Sequence, residues 1–207
     1  MPKKAKTLPS CELLHALLDE RIEHPEHTKK LDAKIKKSFK QLRTIFILDM
    51  SGFSKTVQRY GIIHYLAMIQ RMLRIVRPIV SRYDGIVIKF EADNCFAVFP
   101  TPEKALLASE QIHHDLEIAN LMTDDMSDVH VSIGIGHGPV LLFCEDMYGN
   151  ELNLASKLGE DVAERGEILL TSAARKLVKN KKFRFEKVPI TISGVTMFAH
   201  RLSTSAS

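Results

Sequence analysis

Tryptophan is absent from this 207-residue sequence, cysteine is scarce, and no apolar run is long enough to span a membrane. A bilayer-spanning helix needs roughly 18–20 apolar residues. The three cysteines, Cys11, Cys95 and Cys144, are odd in number and widely spaced, which argues against a disulfide framework and a zinc cluster. The stretch from Met1 to Lys4 lacks the apolar core of a signal peptide. We therefore expect a reduced, cytoplasmic protein.

The composition is that of a globular protein, but its positive charge is concentrated at one end. Apolar residues make up 45% and charged residues 26% of the chain. Residues 1–43 hold 11 Lys/Arg and 6 Asp/Glu, whereas the remainder has a slight excess of acid. A basic arm can bind nucleic acid, or it can be a solvated helix face. No zinc-finger or RNA-binding motif accompanies it, so we favour the solvated face and expect no nucleic-acid partner.

Apolar residues recur at helical spacing in this basic segment. One run lies before Pro25 and another after it, and Ser10 is placed to cap the first. The spacing predicts a helical N-terminal extension over residues 1–43 that buries its apolar stripe on the body or on a second subunit. The residues of the stripe are Leu13, Leu14, Leu17, Leu18, Ile22, Leu31, Ile35, Phe39 and Leu42.

The body, residues 44–203, alternates predicted strands and helices, and residues 204–207 form a tail. The β-branched and aromatic run 44–48 predicts a strand buried on both faces, and runs 86–90 and 95–99 predict a hairpin. We expect the helix over 62–83 to be interrupted near Pro78, and the chain to turn at 136–139. The order β-α-α-β-β-α-β predicts an α+β, ferredoxin-like core with helices on one face of a largely antiparallel sheet, followed by extra C-terminal strands.

Two acidic residues stand where neighbouring strands of this core would end. Asp49 follows the first strand and Asp93 lies in the hairpin, so both carboxylates can converge on one spot. Carboxylates without competing nitrogen or sulfur ligands suit Mg²⁺ or Mn²⁺. The loop containing Gly52 leads into a helix whose first N–H groups can bind phosphate. The alternative is that each aspartate caps a turn, but together with the loop they favour a nucleoside triphosphate site.

Four ordered segments resemble the class III adenylate and guanylate cyclases. Residues 44–54, Thr-Ile-Phe-Ile-Leu-Asp-Met-Ser-Gly-Phe-Ser, resemble the opening motif, and 89–93, Lys-Phe-Glu-Ala-Asp, resemble the hairpin motif. Residues 146–157, Asp-Met-Tyr-Gly-Asn-Glu-Leu-Asn-Leu-Ala-Ser-Lys, resemble the third motif, and 166–171 match the strand that follows it. The resemblance covers about residues 43–202.

The resemblance implies a metal and phosphate site in the first half of the body. By position, Asp49 and Asp93 bind two divalent cations, Mg²⁺ or Mn²⁺, assisted by the backbone carbonyl of Met50. The backbone N–H groups implied to hold the β- and γ-phosphates are those of Gly52, Phe53 and Ser54.

It also implies a purine and ribose site. Lys89 and Asp146 read the purine, Asn153 positions the ribose, and Lys157 faces the reacting phosphate. A lysine donor and an aspartate acceptor complement adenine, so the implied substrate is ATP. Family members share each site between two subunits, which implies a homodimer with two sites.

The implied function is an adenylate cyclase that converts ATP to 3′,5′-cyclic AMP and pyrophosphate. The alternative is a catalytically weak or inactive nucleotide-binding or regulatory module of the same fold. Three departures from the family pattern motivate that alternative: Ala92 stands where Gly is usual, Lys157 stands where Arg is usual, and the last hairpin has Ser193-Gly194 in place of Lys-Gly.

Overall fold

The computed structural model describes residues 10–125, 127–192 and 194–203, except for the side chains of residues 53–55. The predictions made for residues 1–9, for Ser193 and for the tail at 204–207 lie outside this range. In the described part of the chain, no helix is both long and apolar enough to cross a membrane.

The described residues form strands and helices in an alternating order. The strands are β1 (Lys40–Met50), β2 (Ile86–Glu91), β3 (Asn94–Phe99), β4 (Val131–Phe143), β5 (Asp146–Tyr148), β6 (Ile168–Thr171), β7 (Phe185–Ile192) and β8 (Val195–Leu202). The α-helices are α1 (Cys11–Glu23), α2 (Thr28–Phe39), α3 (Phe53–Tyr60), α4 (Ile62–Arg82), α5 (Pro102–Asn120), α6 (Asn150–Ser156) and α7 (Ser172–Leu177). A 3-10 turn, Pro25–His27, joins α1 to α2, and a π-helical stretch, Lys157–Val162, extends α6.

The strands form a single sheet in the order β2-β3-β1-β4-β6-β8-β7, with β5 paired to β4. β1 lies between β3 and β4 and is antiparallel to both, whereas β4 and β6 are parallel. Two helices separate β1 from the β2–β3 hairpin, and α5 separates the hairpin from β4. The predicted α+β fold with additional C-terminal strands is confirmed.

Different helices cover the two faces of the sheet, so the prediction that the helices lie on one face is wrong. Phe46 and Leu48 of β1 belong to the larger core cluster, which is formed with α4, α5 and α7. Ile45 and Ile47 point to the opposite face and pack with Ala155 of α6. All of residues 44–48 are buried, so the predicted strand with two buried faces is confirmed. The strand begins at Lys40, four residues earlier than the buried run, because its first residues pair with β4.

β4 runs straight through the segment where the sequence predicted a turn, so that prediction is wrong. Its glycines serve close packing against α6 instead of a change of direction. A Cβ at Gly134 would overlap the carbonyl of Ala155, and one at Gly138 would lie 2.6 Å from Cγ of Glu151. The side chain of Glu151 fills this space and accepts a hydrogen bond from Thr171 Oγ1 at 2.8 Å.

The predicted interruption near Pro78 is also wrong, because α4 is a single 21-residue helix. Proline inside a helix removes one backbone hydrogen bond at a cost of about 3 kcal/mol. Buried residues on both sides of Pro78 hold the helix on the core, including Met72, Val76 and Ile79. Tertiary packing therefore overrides the local preference.

The N-terminal helices pack on the body as a helical hairpin. Ser10 Oγ accepts a hydrogen bond from the N–H of Leu13, as expected for a cap. The helical prediction is wrong for residues 40–43, which pair with β4 as part of β1. Only part of the predicted stripe is buried, since Leu42 is 62% exposed. The buried residues, which meet Leu141 and Phe143 of β4, are Leu14, Leu17, Leu31, Ile35 and Phe39.

A disulfide joins Cys11, at the start of α1, to Cys144, in the turn between β4 and β5. The prediction that the cysteines are unpaired is therefore wrong for these two, whereas Cys95 is free and buried. The cysteines are 133 residues apart in sequence, but their Cα atoms lie 5.5 Å apart. Sequence spacing missed the pair because the packing of the helical hairpin on β4 brings the two cysteines together.

Cys11→Ser is expected to lower the free energy of unfolding by about 2–5 kcal/mol, because the disulfide closes a long loop and restricts the unfolded chain. Denaturant unfolding with and without a thiol reductant measures this. In reductant the wild type and the variant should converge. Identical midpoints without reductant would show that the disulfide does not contribute to stability.

Candidate functional site

The two aspartates expected to hold cations lie at the same end of the sheet. Asp49 is the penultimate residue of β1, and Asp93 occupies the tight turn of the β2–β3 hairpin. Pairing of Leu48 with Cys95 brings that turn beside the end of β1. The turn also places Ala92 at φ 52°, a conformation that glycine adopts more readily than alanine.

The carboxylate of Asp49 is partly buried and lies near other carboxylates. Burial is the largest cause that raises the pKa of Asp49 to about 7, and the carboxylate of Asp93 is the next. Two further carboxylates add to the rise, those of Glu160 and Asp161. A divalent cation would offset this charge, so the donor set fits a hard metal ion.

The π-helical stretch holds the two additional carboxylates near Asp49. Ser132 pairs with Asp49 across the sheet, and its hydroxyl donates a 2.8 Å hydrogen bond to the carbonyl of Gly159. A Cβ on Gly159 would lie 3.0 Å from the carbonyl oxygen of Ile47, so glycine allows the close approach. Sequence analysis did not single out Glu160 and Asp161, because their relevance depends on this contact.

Tyr65 of α4 is a further residue of the site that sequence analysis missed. Its hydroxyl donates a 2.6 Å hydrogen bond to Asp93 Oδ2, and the residue is only 1% exposed. Burial raises the pKa of Tyr65, so the hydroxyl keeps its proton for this bond. Its position on the apolar face of an amphipathic helix was the available signal, because a buried tyrosine usually needs a hydrogen-bond partner.

Tyr65→Phe is expected to weaken Mn²⁺ binding about tenfold, because Asp93 would lose the donor that orients its carboxylate. Electron paramagnetic resonance of free Mn²⁺ measures the affinity without relying on activity. Tyr60→Phe, on the neighbouring helix α3, is the control and should bind as the wild type. Unchanged affinity in Tyr65→Phe would show that this hydrogen bond does not position a metal ligand.

The loop expected to hold phosphates leads from β1 into α3. Met50 is buried, and Gly52 is the N-cap of α3 with φ 101°, a conformation that favours glycine. Phe53 and Ser54 are the first residues of the helix, so their N–H groups lie in its first turn. The backbone is therefore arranged as a helix N-terminus next to Asp49.

The structure brings Lys89 and Asp146 together. Lys89 Nζ lies 3.3 Å from Asp146 Oδ1 and 2.9 Å from Glu91 Oε2. The pKa of Lys89 is raised, first by its hydrogen bond to Glu91 and then by Asp146. Asp146 also accepts a hydrogen bond from the N–H of Met147 at 2.8 Å. The two residues come from distant parts of the sequence and form an adjacent donor and acceptor, both about one-third exposed.

The residues expected to act on the ribose and the reacting phosphate are exposed. Asn153 lies on α6, and Lys157 begins the π-helical stretch. Lys157 Nζ contacts Asp161 Oδ2 at 2.5 Å, and this contact raises the pKa of Lys157. In the single chain, Lys157 is therefore engaged by a carboxylate of its own stretch.

Two curated proteins resemble the chain over about two thirds of its length. The putative adenylate cyclase 3 of Rhizobium meliloti is 19% identical over 142 residues, covering 69% of this chain and 24% of that protein. The serine/threonine-protein kinase pkn2 of Myxococcus xanthus is 22% identical over 138 residues, covering 67% of this chain and 16% of that protein. The chain thus spans about a quarter or less of these relatives.

Solved structures of both adenylyl and guanylyl cyclases share the fold. The adenylyl cyclase CyaB from P. aeruginosa has a TM-score of 0.68 at 19% identity, covering 81% of this chain and 97% of that one. The catalytic core of a rhodopsin-guanylyl cyclase with converted specificity, in complex with ATPαS, has a TM-score of 0.66 at 17% identity, covering 79% and 96%. At these identities the likeness shows the fold alone.

The sequence also matches the family of the adenylate and guanylate cyclase catalytic domain over residues 35–202. This range includes the sheet, both aspartates, the Lys89–Asp146 pair and the π-helical stretch. The match covers most of the chain, and it agrees with the motifs and with the fold. The chain belongs to the family of adenylate and guanylate cyclase catalytic domains.

Proposed function

We propose that this cyclase domain is an adenylate cyclase, which forms 3′,5′-cyclic AMP and pyrophosphate from ATP at sites shared between two copies of the chain. The choice of ATP as the substrate rests on the 3.3 Å distance between Lys89 Nζ and Asp146 Oδ1. The lysine can donate to an adenine ring nitrogen, and the aspartate can accept from the N6 amino group. Guanine has the acceptor O6 where adenine has its N6 amino donor. The Asp146 carboxylate would then face another acceptor, so the Lys89–Asp146 pair disfavours guanine.

Asp49 and Asp93 would hold two divalent cations, Mg²⁺ or Mn²⁺, together with the carbonyl of Met50. When bound, the cations lower the pKa of the ribose 3′-hydroxyl and offset charge on the triphosphate. Asp93 is held by Tyr65, and Asp49 is surrounded by carboxylates that favour cation binding. The N–H groups at the start of α3 would hold the phosphate oxygens beside them.

A second copy of the chain would supply Asn153 and Lys157. Both residues are exposed, so they are accessible to a nucleotide whose phosphates are held by another chain. Lys157 would place a positive charge at the reacting phosphate, where negative charge must be stabilised during transfer. Its contact with Asp161 must open or be shared when the nucleotide binds.

The same contact supports the alternative, a nucleotide-binding or regulatory module with little turnover. If Asp161 keeps Lys157 away from the phosphate, ATP would bind without efficient conversion. Incubating the purified chain with ATP or GTP, under Mg²⁺ and Mn²⁺ in parallel, and measuring cyclic nucleotide and pyrophosphate separates the two. Cyclic AMP formation with little cyclic GMP supports the cyclase; ATP binding without either product supports the module.

Exchanging the purine-contacting pair tests the choice of base. Lys89→Glu with Asp146→Cys is expected to lower kcat/KM for ATP about a hundredfold and to shift preference towards GTP, because donor and acceptor exchange places. Steady-state kinetics with both nucleotides measure it. Glu91→Gln is the matched control, since Glu91 also contacts Lys89 but has no proposed contact with the base. Unchanged ATP kinetics in the double variant would remove both residues from purine recognition.

A further inference from the structure

The turn between α1 and α2 contains two hydrogen bonds and brings two histidine side chains close together. The N–H of His27 donates a 2.9 Å hydrogen bond to the carbonyl of His24, which closes a 3-10 turn. Pro25 fixes one φ angle of this turn, and the hydroxyl of Thr28 donates to the Pro25 carbonyl at 2.7 Å. Side chains three residues apart in a 3-10 turn lie one above the other, so the imidazoles of His24 and His27 are neighbours.

The carboxylate of Glu26 lies near both imidazoles. His24, Glu26 and His27 each offer one ligand atom, and these three atoms lie within 4.8 Å of one another. His24 Nδ1 is 3.2 Å from Glu26 Oε1, and the two imidazole rings are 5.6 Å apart between centroids. Ligands at about 2.0–2.2 Å from a common cation lie roughly 3–3.5 Å from each other, so one pair already has this spacing. The third ligand atom lies within 4.8 Å of the other two, so binding of one cation requires it to move closer.

We propose that His24, Glu26 and His27 bind one divalent transition-metal cation, with Zn²⁺ as the reference ion. Imidazole nitrogens favour Zn²⁺, Ni²⁺ and Cu²⁺, whereas Mg²⁺ prefers oxygen ligands alone. The three side chains are exposed, so water completes the coordination and the cation can enter without an opening of the fold. These nitrogen and oxygen ligands differ from the all-oxygen ligands at Asp49 and Asp93. The proposal of this site does not depend on cyclase activity of the chain.

The proposed site lies in the turn that connects α1 to α2, so a bound cation would stabilise the helical hairpin. Arg21 Nε and Asp32 Oδ1, 2.6 Å apart, already join α1 to α2. α1 is tied to the body by the disulfide at Cys11, and α2 continues into β1. A cation bound to the turn of the folded hairpin stabilises that state by mass action, so Zn²⁺ should raise the melting temperature of the chain.

Zinc binding to the untagged, chelator-treated chain tests the proposal, with excess Mg²⁺ present to occupy the carboxylate site and no nucleotide added. Calorimetric titration with Zn²⁺ should show a site that His24→Ala and His27→Ala each weaken at least about tenfold. Glu26→Gln should weaken it as well. His114→Ala, which removes an exposed histidine on α5, is the matched control and should bind Zn²⁺ as the wild type does.

Two further measurements test the zinc site without an assay of cyclase activity. Co²⁺ in place of Zn²⁺ should give visible absorption bands in the wild type that the His24→Ala/His27→Ala variant lacks. Zn²⁺ should raise the melting temperature of the wild type more than that of this variant. A wild type without Zn²⁺ binding, or turn variants with wild-type affinity and spectra, would overturn the site. Neither result would change the outcome expected in the cyclase assay.

Discussion

Asp49→Asn is expected to reduce cyclic AMP formation at least about 10³-fold, because several kcal/mol of charge stabilisation would be lost with the cations. The substitution preserves the shape of the side chain and leaves the fold intact. Cyclic AMP produced from ATP with Mn²⁺ measures the effect. Asp115→Asn, at a half-buried position on α5 outside the site, is the matched control and should keep its activity.

The same substitution should make the metal-free protein more stable at neutral and alkaline pH. The pKa of Asp49 is about 7 in the folded chain, against roughly 3.9 for an unfolded aspartate. Between these values the folded state binds more protons, so wild-type stability falls as the pH rises towards 7. An amide does not ionise and avoids this loss.

Unfolding in chelator at several pH values measures the difference. Asp49→Asn should exceed the wild type in stability at pH 8, and the difference should shrink as the pH falls from about 7 and vanish below roughly 3.9, where Asp49 of the wild type becomes protonated in both the folded and the unfolded state. Loss of activity with gain of stability would identify Asp49 as a residue kept for cation binding. Near-normal activity, or a variant that is less stable at pH 8, would contradict the assignment.

Mixing two inactive variants should restore activity if each site is shared between chains. Lys157→Ala should lower kcat more than it raises KM, because its charge is needed mainly in the transition state. In a heterodimer of Asp49→Ala and Lys157→Ala, both lesions fall in one site and the other is wild type. With random exchange of subunits in a two-fold dimer, activity should recover to about a quarter of the wild type.

The matched control for this experiment is a mixture of Asp49→Ala and Asp93→Ala. Both lesions then affect the metal-binding half, so each site of the heterodimer carries one lesion and no activity should return. Co-refolding followed by pull-down with two tags verifies that heterodimers are present. Verified heterodimers of Asp49→Ala and Lys157→Ala without activity would show that the sites are not shared in the proposed way.

The parts of the fold with strong local signals were predictable. Residues 44–48 are rich in β-branched and aromatic side chains, and residues 86–99 form two strands around a short polar turn, so β1 and the β2–β3 hairpin were identified. The segment 136–139 has the composition of a turn, but its glycines are needed for contact with α6. Composition could not show this, because the same residues serve either purpose.

The site was predictable where the residues form motifs and was missed where they depend on packing. The pairing of Lys89 with Asp146 was expected from the family resemblance, and the structure brings the two side chains together. Tyr65 was missed because it contacts Asp93 from a helix that carries no motif. The disulfide was missed because no pattern in the sequence brings Cys11 close to Cys144.

The disulfide creates a short covalent path between two segments that are distant along the backbone. Along the backbone, Cys11 and Cys144 are separated by 133 residues, but through the sulfurs they are adjacent, and Asp146 follows two residues later. Through this bond, α1 is linked covalently to the turn that precedes Asp146, the residue proposed to contact the purine. The N-terminal helices are therefore joined to the body by covalent bonds at two places, where α2 continues into β1 and where Cys11 is bonded to Cys144.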